Sequence, residues 1–165
     1  MNPPEASPSE LPAIGFLSGI SSEHRSFLAC FGRFLRPNNG DVLIQAGDCQ
    51  ESLYVILSGT LHIVGSSGER QVLLATLGGG DSMGEINLFD PDKASATAIA
   101  RSSGLVWALS REELDAFLAA DPVAGVEVLR GLLRQVSQRI RTMNEKLATV
   151  EERTSLHNFW TTGQQ

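Results

Sequence analysis

Gly79-Gly80-Asp81-Ser82-Met83-Gly84-Glu85-Ile86-Asn87-Leu88-Phe89 is followed, after a short acidic loop, by Lys93-Ala94-Ser95-Ala96-Thr97-Ala98. A glycine turn runs into a short helical start, then a loop, then a strand of small residues. Backbone N–H groups at a helix start have no partner inside the helix and carry partial positive charge. This layout predicts a cradle for an anion.

Working outward, the flanking chain reads as short strands between glycine-centred turns, among them Asn38-Asn39-Gly40, Ala46-Gly47-Asp48, Ser58-Gly59 and Ser66-Ser67-Gly68. The expected strands are 42–45, 52–57, 60–64, 71–77, 95–100 and 104–109. Short strands at this spacing predict an antiparallel sandwich or barrel. Leu53-Tyr54-Val55-Ile56-Leu57 is apolar on both faces, which predicts a central strand.

Helices flank this β region. Ser21 or Ser22 caps a short helix through Phe31, with Phe27, Leu28 and Phe31 on one face. Ser110 and Glu113 make a capping box ahead of Leu114, Phe117 and Leu118. Asp121-Pro122 opens a long helix as cap and first-turn residue. On it, Leu129, Leu133, Val136, Ile140, Met143, Leu147 and Val150 recur at alternating four- and three-residue steps, a heptad seam that predicts a helix–helix dimer interface, with packing on its own barrel as the alternative. Lys146 can then meet Glu151 of a parallel partner, a pair contributing only ~0.3–0.5 kcal/mol. Arg134, Arg139, Arg141 and Glu145 are read as clothing the other sides. The expected organisation is a disordered arm over 1–10, the β domain over 11–121, the long helix over 122–152 and an aromatic tail over 153–165. Leu156, Phe159 and Trp160 of the tail are expected to dock on the barrel, to cover the ligand site or to meet a protein partner.

The 165 residues suit one domain with an appendage, and the formal net charge is −6. That charge disfavours nucleic acid or an anionic membrane as the main partner. Cys30 and Cys49 read as small buried hydrophobes of a reducing compartment. Residues 1–10 carry no apolar run of a signal peptide, and no stretch approaches the ~20 apolar residues of a membrane helix, so the expected location is cytoplasmic.

Several separate segments together resemble the cyclic-nucleotide-binding domain of the catabolite-activator family. They are Leu35-Arg36-Pro37, Gly40 to Ile44, Ala46-Gly47-Asp48, Glu51 to Gly59, and Gly84-Glu85 with Ala96-Thr97. The resemblance spans roughly residues 17–147. It implies a mainly β fold with flanking helices: a double-stranded β-helix, or jelly-roll, barrel followed by a long dimerising helix. It also implies a non-catalytic regulatory module with cyclic AMP or cyclic GMP as effector. In that family a cassette arginine, backbone N–H groups and a hydroxyl grip the cyclic phosphate, the cassette glutamate takes the ribose hydroxyl, and the long helix touches the base. Carried over by position, the ligand residues are Gly84, Glu85, Ile86, Asn87, Lys93, Ala94, Ser95 and Thr97, with Met143 and Asn144 on the long helix. Ile86 and Leu88 match the apolar anchors of the short helix.

The departure is at Ala94, which occupies the arginine position. A buried phosphate without its partner loses on the order of 3–5 kcal/mol, a hundred- to several-thousand-fold in affinity. Lys93 is a point charge beside it, but adjacent strand residues face opposite sides. Two expectations follow: a module that binds a cyclic nucleotide weakly or takes a related small effector, and a module without nucleotide that works as a dimeric protein-interaction domain through the long helix and tail.

Enzymatic readings find little support. A metal-dependent barrel enzyme needs several converging donors, and His62 is alone among the strands. His24 and His157 lie apart from any nucleophile spacing, and Gly79 to Gly84 lacks the Lys-Ser or Lys-Thr of a P-loop. No catalytic residue, metal or cofactor is expected. After Val150 there is no room for a helix-turn-helix, so no DNA partner is expected either.

Overall fold

The computed structural model describes the backbone of residues 10–67 and 70–162, and side chains over 10–66 and 70–148. Among the described residues, ten short strands make two four-stranded antiparallel sheets and a two-stranded ribbon. The first sheet runs β1 (Arg33–Leu35), β10 (Leu105–Ser110), β4 (Ser52–Ser58), β7 (Ser82–Met83). The second runs β2 (Val42–Ile44), β9 (Thr97–Ala100), β5 (Leu61–Ser67), β6 (Arg70–Leu77). The ribbon pairs β3 (Cys49–Gln50) with β8 (Asp92–Lys93). The sheets form a sandwich; the strands described do not close into a continuous barrel.

The period-two alternation of β4 and β10 builds two cores from one sheet. Tyr54, Ile56, Val106 and Ala108 face the second sheet and pack with Leu61, Met83, Ala98 and Ala100. Leu53, Val55, Trp107 and Leu109 face the opposite way, toward the helices. That explains why 53–56 is buried on both faces, as its apolar run predicts.

The helical layer comprises α1 (Ser22–Ala29), α3 (Arg111–Ala120) and α4 (Pro122–Thr162), with a 3-10 turn at Gly15–Gly19 and the short α2 (Glu85–Phe89) at the sheet edge. The caps form as their sequences require. Ser21 Oγ accepts from His24 N, Ser110 and Glu113 complete their reciprocal box, and Asp121 Oδ1 accepts from the N–H groups of Val123 and Ala124. The base of α4 buries Ala124, Val128 and Leu132 against Phe16, Leu17 and Ile20. Each large apolar side chain so buried contributes about 1.5–3 kcal/mol. Gly131 permits this approach, since a Cβ there would lie 2.8 Å from the Phe16 carbonyl oxygen.

The six expected strands are present with ends moved by at most a few residues. The 3-10 turn, β1 and the two-residue strands β3, β7 and β8 were not anticipated, because so short a pairing carries no alternation to read. Both cysteines correct their expectation: they are exposed and unpaired. Cys30 falls on the C-cap of α1, and Cys49 takes the outward position of β3 while its neighbour Gln50 is buried. Helix α4 runs past the expected boundary at 152 to Thr162, since no Gly or Pro interrupts residues 132–162. The arm over 1–9, the side chains of Val150, Glu151, Leu156, Phe159 and Trp160, and residues 163–165 lie outside what is described. Among the described residues no helix is long and apolar enough to cross a membrane.

Candidate ligand site

The cassette turn sits directly on β4. Gly84 caps α2 at φ +84°, in the left-handed region, and a Cβ there would collide with the Ser52 carbonyl oxygen. Only glycine satisfies both constraints without strain. The turn delivers Glu85 inward, to 4% exposure, and Leu88 to 1%. On this short helix Ile86 and Phe89 occupy the opposite face, at 68% and 50% exposure. Ile86 is therefore not an anchor, which corrects its sequence reading; Leu88 alone has that place.

The buried carboxylate meets a cation from α4. The Arg139 guanidinium pairs with Glu85 Oε1 and donates a second hydrogen bond to the Ser82 carbonyl oxygen. One turn earlier, Gln135 Nε2 donates to Ser82 Oγ at 2.9 Å. Ser82 itself is fully buried, paired with Val55 across β7 and β4. Arg139, read from sequence as a surface charge, is instead the clamp between α4 and the cassette. Two acceptors are left over: Glu85 Oε2 and Gln135 Oε1 are buried without a donor. A buried acceptor without a donor costs about 1–3 kcal/mol, and such atoms are uncommon.

These groups line a cavity of about 580 Å³ between α2, β5–β6 and α4, within the ~300–1,000 Å³ usual for small-molecule sites. Ile63, Ala75 and Leu77 form an apolar wall, and Gln138, Thr142, Met143 and Lys146 close it from α4. Its charged lining residues are Asp81, Glu85, Arg139 and Lys146, so their formal charges cancel. Gly84, Glu85, Ile86, Asn87 and Met143, all expected from sequence, come together here.

The other expected residues do not line this cavity. Lys93 is exposed on β8, opposite Cys49, and its backbone N–H donates to its neighbour Asp92 Oδ1 at 2.7 Å. Ala94 is 9% exposed; its N–H donates to the Asp48 carbonyl, and its own carbonyl accepts from Gly47 N–H, both at 2.8 Å. Ser95 is exposed. Thr97 Oγ1 accepts from Ala46 N–H at 3.1 Å and from Gln45 Nε2 at 3.3 Å, so the hydroxyl holds a loop. Asn87 Nδ2 links the two halves by donating to the Asp92 carbonyl at 3.3 Å. Asn144 is exposed on α4.

Sequence reading missed Ser82, Gln135, Arg139, Thr142 and Lys146. A signal for four of them exists. Residues 135, 139, 142 and 146 recur at helical spacing as a polar stripe beside the apolar seam. In the seam, Leu133, Ile140, Met143 and Leu147 are 54–67% exposed, whereas Leu129 and Val136 are partly buried. These two, with Leu132 and Leu133, face Ile86 and Phe89 across an apolar groove of about 430 Å³.

At the far end of the helical layer, His24 Nδ1 lies 2.8 Å from Glu127 Oε2. The hydrogen bond to Glu127 raises the His24 pKa above its ordinary value, against the effect of desolvation. The same bond lowers that of Glu127, helped by the Ser21 N–H. Among the described residues no group of three His, Cys, Asp or Glu side chains could hold a metal ion.

Comparison with known proteins agrees with this architecture. The family model described as "Cyclic nucleotide-binding domain" matches residues 36–121. A CRP-like cAMP-activated global transcriptional regulator of Mycobacterium tuberculosis is 28% identical over 142 residues, 84% of this chain and 60% of that protein. The cyclic AMP receptor protein of Thermus thermophilus is 31% identical over 121 residues, 73% of this chain and 54% of that protein. The chain thus spans less than two thirds of the length of these curated relatives. A cyclic nucleotide-binding domain from Methylobacillus flagellatus superposes with a TM-score of 0.73 at 25% identity, over 79% of this chain and 74% of that one.

Proposed function

The chain belongs to the cyclic nucleotide-binding domain family, and from that premise we propose that it is a non-catalytic regulatory module: its cavity takes a cyclic nucleotide weakly, or a related small effector, and α4 transmits the occupancy. One observation carries this reading. Glu85, the buried acid of the cassette, is held by Arg139 of the long helix. A guest that donates hydrogen bonds to Glu85 shares that carboxylate with Arg139 or displaces it. Its binding energy then differs between two placements of α4, which is the condition for shifting a population between them.

The exposed seam of α4 supports a homodimer as the form in which this signal is read. Leu133, Ile140, Met143 and Leu147 make a continuous apolar line along the helix, and such lines mark interaction surfaces. Light scattering at tens of micromolar is expected to give a dimer and Ile140→Asp a monomer; a wild-type monomer would remove this part of the reading.

A second reading rests on Ala94. Its methyl is buried at the position that the sequence resemblance matches to the family's arginine, and Thr97 is committed to the Gln45–Ala46 loop. A domain so altered fits a ligand-free interaction module working through α4 and the tail. Calorimetry with cyclic AMP, cyclic GMP and their nucleosides, combined with amide exchange over 132–148, separates the two. Binding of any one of them with altered exchange in α4 is expected. Binding without that change would sink the coupling, and no binding up to millimolar concentration would favour the interaction module.

A further inference from the structure

We infer that the cavity between α2, β6 and α4 selects an uncharged guest that donates hydrogen bonds, a nucleoside, over the corresponding cyclic phosphate. The inference rests on the reading of that cavity as the effector site. Two acceptors of the site lack a protein donor. Glu85 Oε2 and Gln135 Oε1 are both buried without one. They belong to side chains joined through Ser82, whose carbonyl accepts from Arg139 and whose hydroxyl accepts from Gln135. Turning the Gln135 amide exchanges one orphan for another and leaves Glu85 Oε2 as it is. Sugar hydroxyls supply the missing donors, whereas a cyclic phosphate ester has acceptors only at its phosphorus end.

Charge points the same way. The formal charges of Asp81, Glu85, Arg139 and Lys146 cancel around the cavity. Arg139 is engaged by Glu85 and the Ser82 carbonyl, and Lys146 is exposed. Among the described lining residues no buried cation is free to meet the further negative charge of a phosphate, which would also lose part of its hydration on entry. A neutral guest avoids that loss. Its base fits the apolar wall of Ile63, Ala75 and Leu77, and its sugar fits the Ser82–Glu85 end.

The test is calorimetry on the wild-type chain with adenosine, guanosine, cyclic AMP and cyclic GMP, with amide exchange locating the bound compound. At least one nucleoside is expected to bind tenfold or more tightly than its own cyclic phosphate, and to protect 82–87. A cyclic phosphate that binds as tightly as its nucleoside overturns the selectivity and leaves the effector site standing. Nucleoside binding that protects some other segment overturns the assignment to this cavity. No binding by any of the four at millimolar concentration overturns the inference and the effector-site reading together.

Discussion

Ser82 and Glu85 reach toward α4, while Lys93 to Thr97 is tied to the loop at 45–48, and Asn87 joins the two through the Asp92 carbonyl. The first half meets the helix through Arg139 on Glu85 and Gln135 on Ser82. The second half spends its polar groups at home: Ala94 exchanges backbone hydrogen bonds with Gly47 and Asp48, and the Thr97 hydroxyl accepts from Ala46 and Gln45. Two segments that sequence joins into one cassette thus have separate mechanical roles. One is in register with the helix that leaves the domain. The other is a staple of the β sandwich. On the proposed reading, a guest that engages only the first half would act on α4 through Glu85 and Arg139, a route from cavity to helix that does not pass through Ala94.

The largest expected effect is at the hinge of the first half. Gly84→Ala places a side chain in the left-handed region and against the Ser52 carbonyl. It is expected to cost about 3 kcal/mol or more, roughly a 6–12 °C fall in Tm by thermal melt, and to abolish ligand binding. A variant with wild-type stability would mean that the turn is not built as described. Next is Arg139→Gln, which leaves Glu85 buried at 5% side-chain exposure without its cation. Arg139 is itself 39% exposed, so the loss is expected to be about 2 kcal/mol rather than the 3–5 of a fully buried pair. Amide exchange in α2 should quicken with it.

Thr97→Val sharpens the contrast from the other side. It removes an acceptor shared by Ala46 N–H and Gln45 Nε2, so about 1 kcal/mol of stability is expected to go with no change in the affinity of any bound nucleoside. A tenfold loss of affinity in this variant would make the second half a ligand site after all and collapse the distinction.

The smallest effect concerns His24 and Glu127, remote from the cavity. Glu127, Asp121 and Glu23 all raise the His24 pKa. Its contribution to stability is therefore complete below the ordinary value of 6.5 and is lost as pH rises through the raised one. The Glu127 contribution is present above its ordinary 4.5 and is lost as pH falls through its lowered value. Both operate together between those limits. Wild-type Tm is expected to fall from pH 6 to pH 8, and Glu127→Gln to flatten that slope; an unchanged slope would mean that the pair does not form.

The contrast between the halves also marks where the sequence is readable. Backbone demands were legible: Gly84, the Ser110–Glu113 box, the Asp121 cap and the two-faced 53–57 strand each follow from local chemistry. The destination of a long side chain was not. Arg139 looks like any solvent-facing arginine of a heptad helix until the fold sets Glu85 and Ser82 across from it. Thr97 looks like a phosphate hydroxyl until the 45–48 loop claims it. The outward turn of Ile86 depends on which face of α2 meets β4, and five helical residues carry too little periodicity to decide that.

Coupling between cassette and helix is tested most directly by a double-mutant cycle on Glu85→Gln and Arg139→Gln, read as unfolding free energy in urea. The two losses are expected to be strongly non-additive, with an interaction of about 1–3 kcal/mol. Additive losses, with an interaction within about 0.3 kcal/mol of zero, would contradict it.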